Sequence, residues 1–365
     1  MKFVLNRVKL LEGLKLVSKV TPKTRTFVGS VNSVYFQIGK GQLFLWGTDG
    51  IRGLVTRYGV IESKESLQKA DIVFPIDKLL HTVTYSTTEK VSFEESGDRR
   101  WKIKANSTST VGTYSVDHFP KFETKGETLE MINIDNLKRY LKKVAPTADE
   151  ESSDKPHLSG VLIDGNFVTT DIQRMSYYKT NYDTFKKSFI IPAGVLEVLN
   201  SFSGGSLDVE VRSVVNSLVF CVGDTLISTR LYEASFPNYK TVIERVQNFK
   251  YKMVMVDKKN FLEVMNRLKI FRDANNFVCL KIENDKMTIQ VGTDDVGVEE
   301  IVVKSSESFS LTLDLNIDAV FDFLNVIDGE KVILKVLDDK TPVVVQEKYS
   351  NGEEFYSILS PLIRR

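Results

Sequence analysis

Three copies of one pattern run in order along the 365 residues, and a chain built that way folds as three related modules. Leu10, Leu14 and Val17 are spaced by four and three residues, with Lys9, Glu12, Lys15 and Lys19 around them. The same spacing recurs in Leu137, Leu141 and Val144, and again in Phe261, Met265 and Leu268. Each set predicts the apolar stripe of an amphipathic helix. Asp135 and Asp257 stand where the second and third helices would be capped. A second marker is an aspartate closing a strand-like run: Asp49 in LFLWGTDG, Asp171 in NFVTTDIQ and Asp294 in MTIQVGTDD, 122 and 123 residues apart. A third is another helix, in FPIDKLLHTV from Phe74, IPAGVLEVLNS from Ile191 and LNIDAVFDFLN from Leu315. A fourth is a proline-bearing end, SVDHFPKF, EASFPNYK and YSILSPLI, with Pro120, Pro237 and Pro361.

Between the markers lie alternating runs rich in Val, Ile, Phe and Thr, such as VYFQIGKGQLFLWG and EKVILKVLDDKTPVVVQEKY, which predict strands. Each repeat therefore reads as helix, strands, helix, strands. The expected class is α+β, with modules at 1–126, 127–250 and 251–365; the first boundary, FETKGETLE, is polar as linkers are.

A hydrophobic share of 42% with 27% charged residues excludes a disordered chain, a collagen and a coiled coil. No apolar run approaches the roughly 20 residues of a membrane span. MKFVLNRVKLL carries charges where a secretion signal needs its apolar stretch. Cys221 and Cys279 sit in apolar runs and predict buried thiols in a reducing compartment. A cytoplasmic protein is expected.

The net charge of +1 hides a gradient. Residues 1–126 carry 20 basic and 12 acidic side chains, a net +8; residues 127–250 carry −2, and residues 251–365, with 15 and 20, carry −5. Opposite ends favour head-to-tail association of subunits, which closes into a ring or runs into a filament. The first helix of each repeat is also basic: Arg7, Lys9, Lys15 and Lys19 followed by Lys23 and Arg25; Lys138, Arg139, Lys142 and Lys143; Lys258, Lys259, Arg267, Lys269 and Arg272. The pairs 138/142 and 139/143 predict two adjacent exposed rows of cations. Locally basic helices on a neutral chain suit a polyanion bound on one face. The chain lacks the aromatic interleaving that stacks single-stranded bases and has no zinc-finger spacing, so backbone contact with duplex DNA fits better than base readout.

Several stretches then resemble a known family. They are the MKF start with its LL-x-x-L helix, TYSVDHFPKF, LSGVLIDGNFVTTDIQRM, IIPAGVLEVLN, EASFPNY followed by TVI, and the closing YSILSPLIRR. In order and spacing the chain is similar to the bacterial sliding clamp, the β subunit of DNA polymerase III. The resemblance implies three DNA-clamp domains per chain, helices inside and antiparallel sheets outside. It also implies a head-to-tail homodimeric ring that encircles duplex DNA. Such a ring serves DNA replication as a processivity factor, binding the polymerase and the clamp loader through short peptide motifs.

The resemblance also implies site residues. A partner-peptide pocket between the second and third modules would use Leu158, Thr170, Ile172, Gln173, Arg174, Met175, Pro237, Thr241, Val242, Ile358, Ser360, Pro361 and Leu362. Ile172 and Gln173 replace the family's usual Gly-His, and Thr241 stands where a basic residue is common, so the pocket is reshaped. DNA contacts would come from Arg7, Lys19, Lys23, Arg25, Lys138, Arg139, Lys142, Lys143, Lys155 and Arg267. Pro156 and His157 replace the tyrosines expected in the loop that carries Lys155. The dimer contact would use Ile270 and Phe271 against Val111 and Tyr114.

The sequence offers no chemistry of its own. His81, His118 and His157 have no metal-ligand spacing to another His or Cys, and GxSxG, HExxH and Gly-rich phosphate loops are absent. The equivalence of Asp49, Asp171 and Asp294 argues for a structural turn in each repeat. DEESSD at 149–154 reads as a solvated acidic loop. No enzyme, cofactor, metal or membrane partner is expected. The alternatives are a triplicated β-rich structural or binding protein, for example a phage virion component that encircles no DNA, and an enzyme without a recognisable motif.

Overall fold

The computed structural model describes residues 1–22, 32–60, 69–148, 155–182, 185 and 187–362. Seven α-helices occur among them: α1 (Arg7–Val17), α2 (Ile76–Thr84), α3 (Ile134–Val144), α4 (Val195–Leu199), α5 (Tyr239–Asn248), α6 (Lys258–Leu268) and α7 (Ile317–Val326). Each repeat opens alike. A strand, Lys2–Asn6, Glu127–Asn133 or Lys252–Asp257, runs directly into α1, α3 or α6, and a 3-10 turn follows: Ser18–Val20, Ala145–Thr147 or Lys269–Phe271. The predicted stripes, Leu10/Leu14/Val17, Leu137/Leu141/Val144 and Phe261/Met265/Leu268, are all buried.

The caps partly differ from expectation. Asp257 caps α6, accepting the Asn260 N–H, and Asn6 does the same for α1 with Lys9. Asp135 is no cap. It lies inside the first turn of α3 and accepts the Gly205 N–H at 2.7 Å, while Asn133 takes the Asp135 N–H at 3.0 Å. The second predicted helices are α2, α4 and α7. Helix α5, after Pro237, was not anticipated.

The chain divides into two compact units, Met1–Lys138 with Gly194–Leu231, and Arg139–Ala193 with Tyr232–Arg365. The first holds a four-stranded antiparallel sheet and an eight-stranded one. In the larger sheet Arg52–Val60 pairs with Thr225–Arg230, so strands of the first and second repeats join there, with Val55 opposite Leu226. The second unit holds another four-stranded sheet and a nine-stranded one. Its seam has the same construction: Arg174–Lys179 pairs with Glu354–Leu359, with Met175 opposite Ile358. Most strands bury alternate side chains, as in Gln42–Thr48, but Gly160–Ile163 and Phe167–Thr170 are buried on both faces. Cys221 and Cys279 are buried and form no disulfide, and burial pushes the Cys221 thiol up. No helix among the described residues is long and apolar enough to cross a membrane.

Candidate functional site

A groove of about 320 Å³ lies beside the second seam. One wall is the turn that leads into Arg174–Lys179, and it is built from short-range hydrogen bonds. Thr170 Oγ1 donates to the Arg174 carbonyl at 2.7 Å and accepts the Ile172 N–H at 3.1 Å. One oxygen of Asp171 accepts the Gln173 and Arg174 N–H groups at 3.1 and 2.8 Å; the other accepts Arg174 Nε at 2.6 Å. Arg174 also donates to Asp322 of α7 and to the Pro146 carbonyl. Burial disfavours the Arg174 charge, yet Asp171 and Asp322 hold its guanidinium above its ordinary range. Burial in turn lifts the Asp322 carboxyl above its usual range despite Arg174.

The turn is a repeat feature. Thr48, Asp49 and Arg52 make the same bonds, with Asp49 accepting the Ile51 and Arg52 N–H groups at 2.9 and 2.6 Å. The structural reading therefore holds for Asp49 and Asp171. The third repeat differs: Asp273, not Asp294, binds the Thr293 N–H and hydroxyl, at 2.9 and 2.6 Å.

The groove floor is Met175 and Ile358, which sit opposite one another across the seam and belong to an apolar cluster with Tyr177, Ile243 and Val246. Burial pushes the Tyr177 phenol up to about 12. Thr170, Ile172, Gln173, Arg174, Met175, Val242, Ile358 and Ser360, all expected in the pocket, line the groove. Leu158, Pro237, Thr241, Pro361 and Leu362 do not. Leu158 is core, Pro237 and Thr241 face solvent, and the Leu362 N–H is bound to the Asp314 carbonyl. Arg245, Val246, Phe249, Lys340 and Pro342 line it unannounced. The i, i+4, i+7 spacing of Val242, Val246 and Phe249 was the available signal for the wall that α5 supplies.

The expected DNA-contact cations divide sharply. Lys142 and Lys155 are exposed and have no ion pair among the described residues. Lys19 is exposed, 3.9 Å from Glu197, and Lys138 donates to the Phe202 carbonyl. Arg7 is half-buried against the Val83 carbonyl. Three expectations are corrected. Lys143 is buried, with its ammonium on Asp328 and Glu347; Arg139 donates to Glu353 at 2.7 Å and to the Tyr178 hydroxyl at 3.1 Å; Arg267 is clamped by Glu299 at 2.8 and 2.7 Å. Each faces a carboxylate distant in sequence, so the predicted 139/143 row is not a free cationic surface. Lys23, Arg25 and the acidic loop 149–154 lie outside the described residues.

Of the expected dimer residues, Ile270 is 81% exposed, Tyr114 and Phe271 are also exposed, and Val111 is buried. Val111 turns inward on Thr108–Gly112, the edge strand of its sheet, so its side chain is core and only the strand's outer edge is open.

Comparison with known proteins bears on the family and the fold. Residues 247–358 match the family described as DNA polymerase III beta subunit, C-terminal domain. The beta sliding clamp of Pseudomonas putida is 22% identical over 98% of this chain and 99% of its own, and that of Buchnera aphidicola 23% over the same shares. The fold matches the DNA polymerase III subunit beta of Pseudomonas aeruginosa with a TM-score of 0.87 at 22% identity, covering all of both chains. The sliding clamp of Bacillus subtilis gives 0.87 at 18%, again over both full chains. A Pseudomonas aeruginosa clamp solved with griselimycin bound gives 0.86 at 22%. The chain thus has the fold of the bacterial sliding clamps, its residues 247–358 match the C-terminal domain of the DNA polymerase III β subunit, and its sequence is similar to theirs along nearly its whole length.

Proposed function

We propose that this chain is a DNA polymerase processivity factor, a sliding clamp that encircles duplex DNA and tethers the replicative polymerase and other partners through short peptides. The groove at the Met175–Ile358 seam carries this reading. Its apolar floor, the exposed Ile172 at its lip and the open side of α5 suit the aliphatic or aromatic anchors of an extended peptide.

Three modules, 1–126, 127–250 and 251–365, make one subunit, and two subunits close head to tail, the +8 end of one against the −5 end of the other. Ile270 and Phe271 meet the open edge of Thr108–Gly112 and Tyr114. Lys142 and Lys155, joined by Lys9 and Lys15 of α1 and by Lys23 and Arg25, supply weak, sequence-independent phosphate contacts that allow sliding. Tethering works through effective concentration: a partner held at the template rebinds before it diffuses away. The clamp performs no reaction and acts in the cytoplasm, where a separate ATP-driven loader opens it.

The test is topological. Loaded onto nicked circular DNA, the protein stays bound and is released when the circle is linearised; equal retention on linear and circular DNA would sink the proposal. Val242→Asp should abolish polymerase stimulation and leave circle retention intact.

A further inference from the structure

The peptide groove does not end at α5. A second groove, about 500 Å³, continues from it, and the two share Val246 and Phe249. Its walls alternate apolar and cationic groups: Tyr251, Met253 and Val344 beside Lys250, Lys335 and Lys348.

The charges around the joined grooves are lopsided. Arg245 and Lys340 line the first; Lys250, Lys335 and Lys348 line the second. None of these five has an ion pair among the described residues, although the Lys335 ammonium donates to Gln346 Oε1. Glu354 is the one carboxylate lining either groove, and it is already engaged by Gln346 Nε2 at 2.6 Å and by the Tyr356 hydroxyl. The neighbouring Asp338 is turned to the backbone N–H groups of Lys340 and Thr341, at 2.9 and 2.6 Å. The second groove also holds an unpaired donor. The Tyr251 hydroxyl oxygen is buried and has no hydrogen-bond partner, a state that costs free energy until an acceptor arrives. Phe249, at the junction, offers a ring between Arg245 and the second groove, with the guanidinium 5.8 Å from its centroid.

Resting on the proposed peptide-binding role of the first groove, we propose that the partner segment is longer than its apolar anchor. An acidic flank of the same peptide crosses Phe249 and lies in the second groove, its carboxylates facing Lys250, Lys335 and Lys348 and one backbone or carboxylate oxygen accepting from Tyr251. Continuity of the two grooves sets the path, and the surplus of unpaired cations sets the sign of the flank. Arg245 lies on α5 and Lys250 just after it, Lys335 and Lys348 lie on the strands Lys331–Val336 and Val343–Lys348, and Lys340 lies between those two strands. Recognition thereby extends from the anchor to the flank.

The experiment is calorimetric titration of the full-length protein with five synthetic peptides sharing one core with Leu and Phe anchors. One is the core alone, two add four Glu at one end or the other, and two add four Lys in the same way. One of the Glu-extended peptides should bind about tenfold tighter than the core at low salt, as three exposed ion pairs of ordinary strength allow. The gain should shrink as salt rises and vanish in Lys250→Ala/Lys348→Ala, while the core binds that variant unchanged. Equal affinity for core and both Glu-extended peptides, or an equal gain from Lys, overturns the flank and leaves the first groove standing. No binding of any peptide overturns the groove itself.

Discussion

Ile172 occupies, at φ 81°, the backbone position that Gly50 occupies at φ 90° in the equivalent turn of the first repeat. The left-handed region suits glycine and penalises a β-branched residue by about 1–2 kcal/mol. Ile172 is 66% exposed, so burial does not repay the strain. The Asp171 and Thr170 hydrogen bonds hold the turn, and what the isoleucine adds is an apolar lip on the groove.

Ile172→Gly should therefore stabilise the free protein. Relief of the strained conformation, less the extra unfolded-state entropy of glycine, leaves a net gain of about 0.5–1 kcal/mol. Urea unfolding measures it, and the anchor peptide should bind the variant more weakly. A loss of stability would show that the side chain is packed rather than presented.

Lys142 and Lys143 are adjacent but do opposite work. Lys143→Ala strands the Asp328 and Glu347 carboxylates and should cost about 3–5 kcal/mol in denaturant unfolding. Lys142→Ala should leave stability nearly unchanged and lower the log–log salt slope of DNA binding by about one. A changed salt slope in Lys143→Ala at native stability would refute this division.

Burial pushes the phenols of Tyr177 and Tyr251 up to about 12. A raised tyrosine keeps its proton in the folded state after the unfolded chain has lost it. Its contribution to stability is complete below pH 10 and is lost as pH rises from 10 towards 12. Tyr251→Phe should flatten that alkaline decline in thermal melts. Because the Tyr251 hydroxyl has no partner, the variant should also gain about 1 kcal/mol at neutral pH. A variant less stable at pH 7 would reveal a partner for that hydroxyl.

Arg174→Lys tests the groove wall. A lysine keeps the charge but cannot reach Asp171, Asp322 and the Pro146 carbonyl at once. The expected cost is about 2 kcal/mol in unfolding free energy, with at least a tenfold loss of anchor-peptide affinity. Unchanged peptide affinity would show that the wall forms without the fork.

The repeat was legible because its determinants are local. Leu10, Leu137 and Phe261 mark the same stripe whatever surrounds them, and the Thr-Asp-x-x-Arg turns are closed by hydrogen bonds within four residues. The groove was legible in part, where its residues lie in those turns or in the last strand. Of its α5 wall only Val242 was expected; Val246 and Phe249, four and seven residues further on, were missed although the spacing is helical.

What the amino-acid order determined by itself is therefore the tripled α+β plan, the buried faces of its helices and the short-range turns, since periodicity and nearby hydrogen bonds act along the chain. Tertiary structure alone decided which cations remain free. Arg139 meets Glu353 from 214 residues away and Lys143 meets Glu347 from 204, while Lys142, beside them, meets solvent. Charge acts through space, so whether a lysine is a ligand for DNA or part of a core is settled only once distant strands have come together.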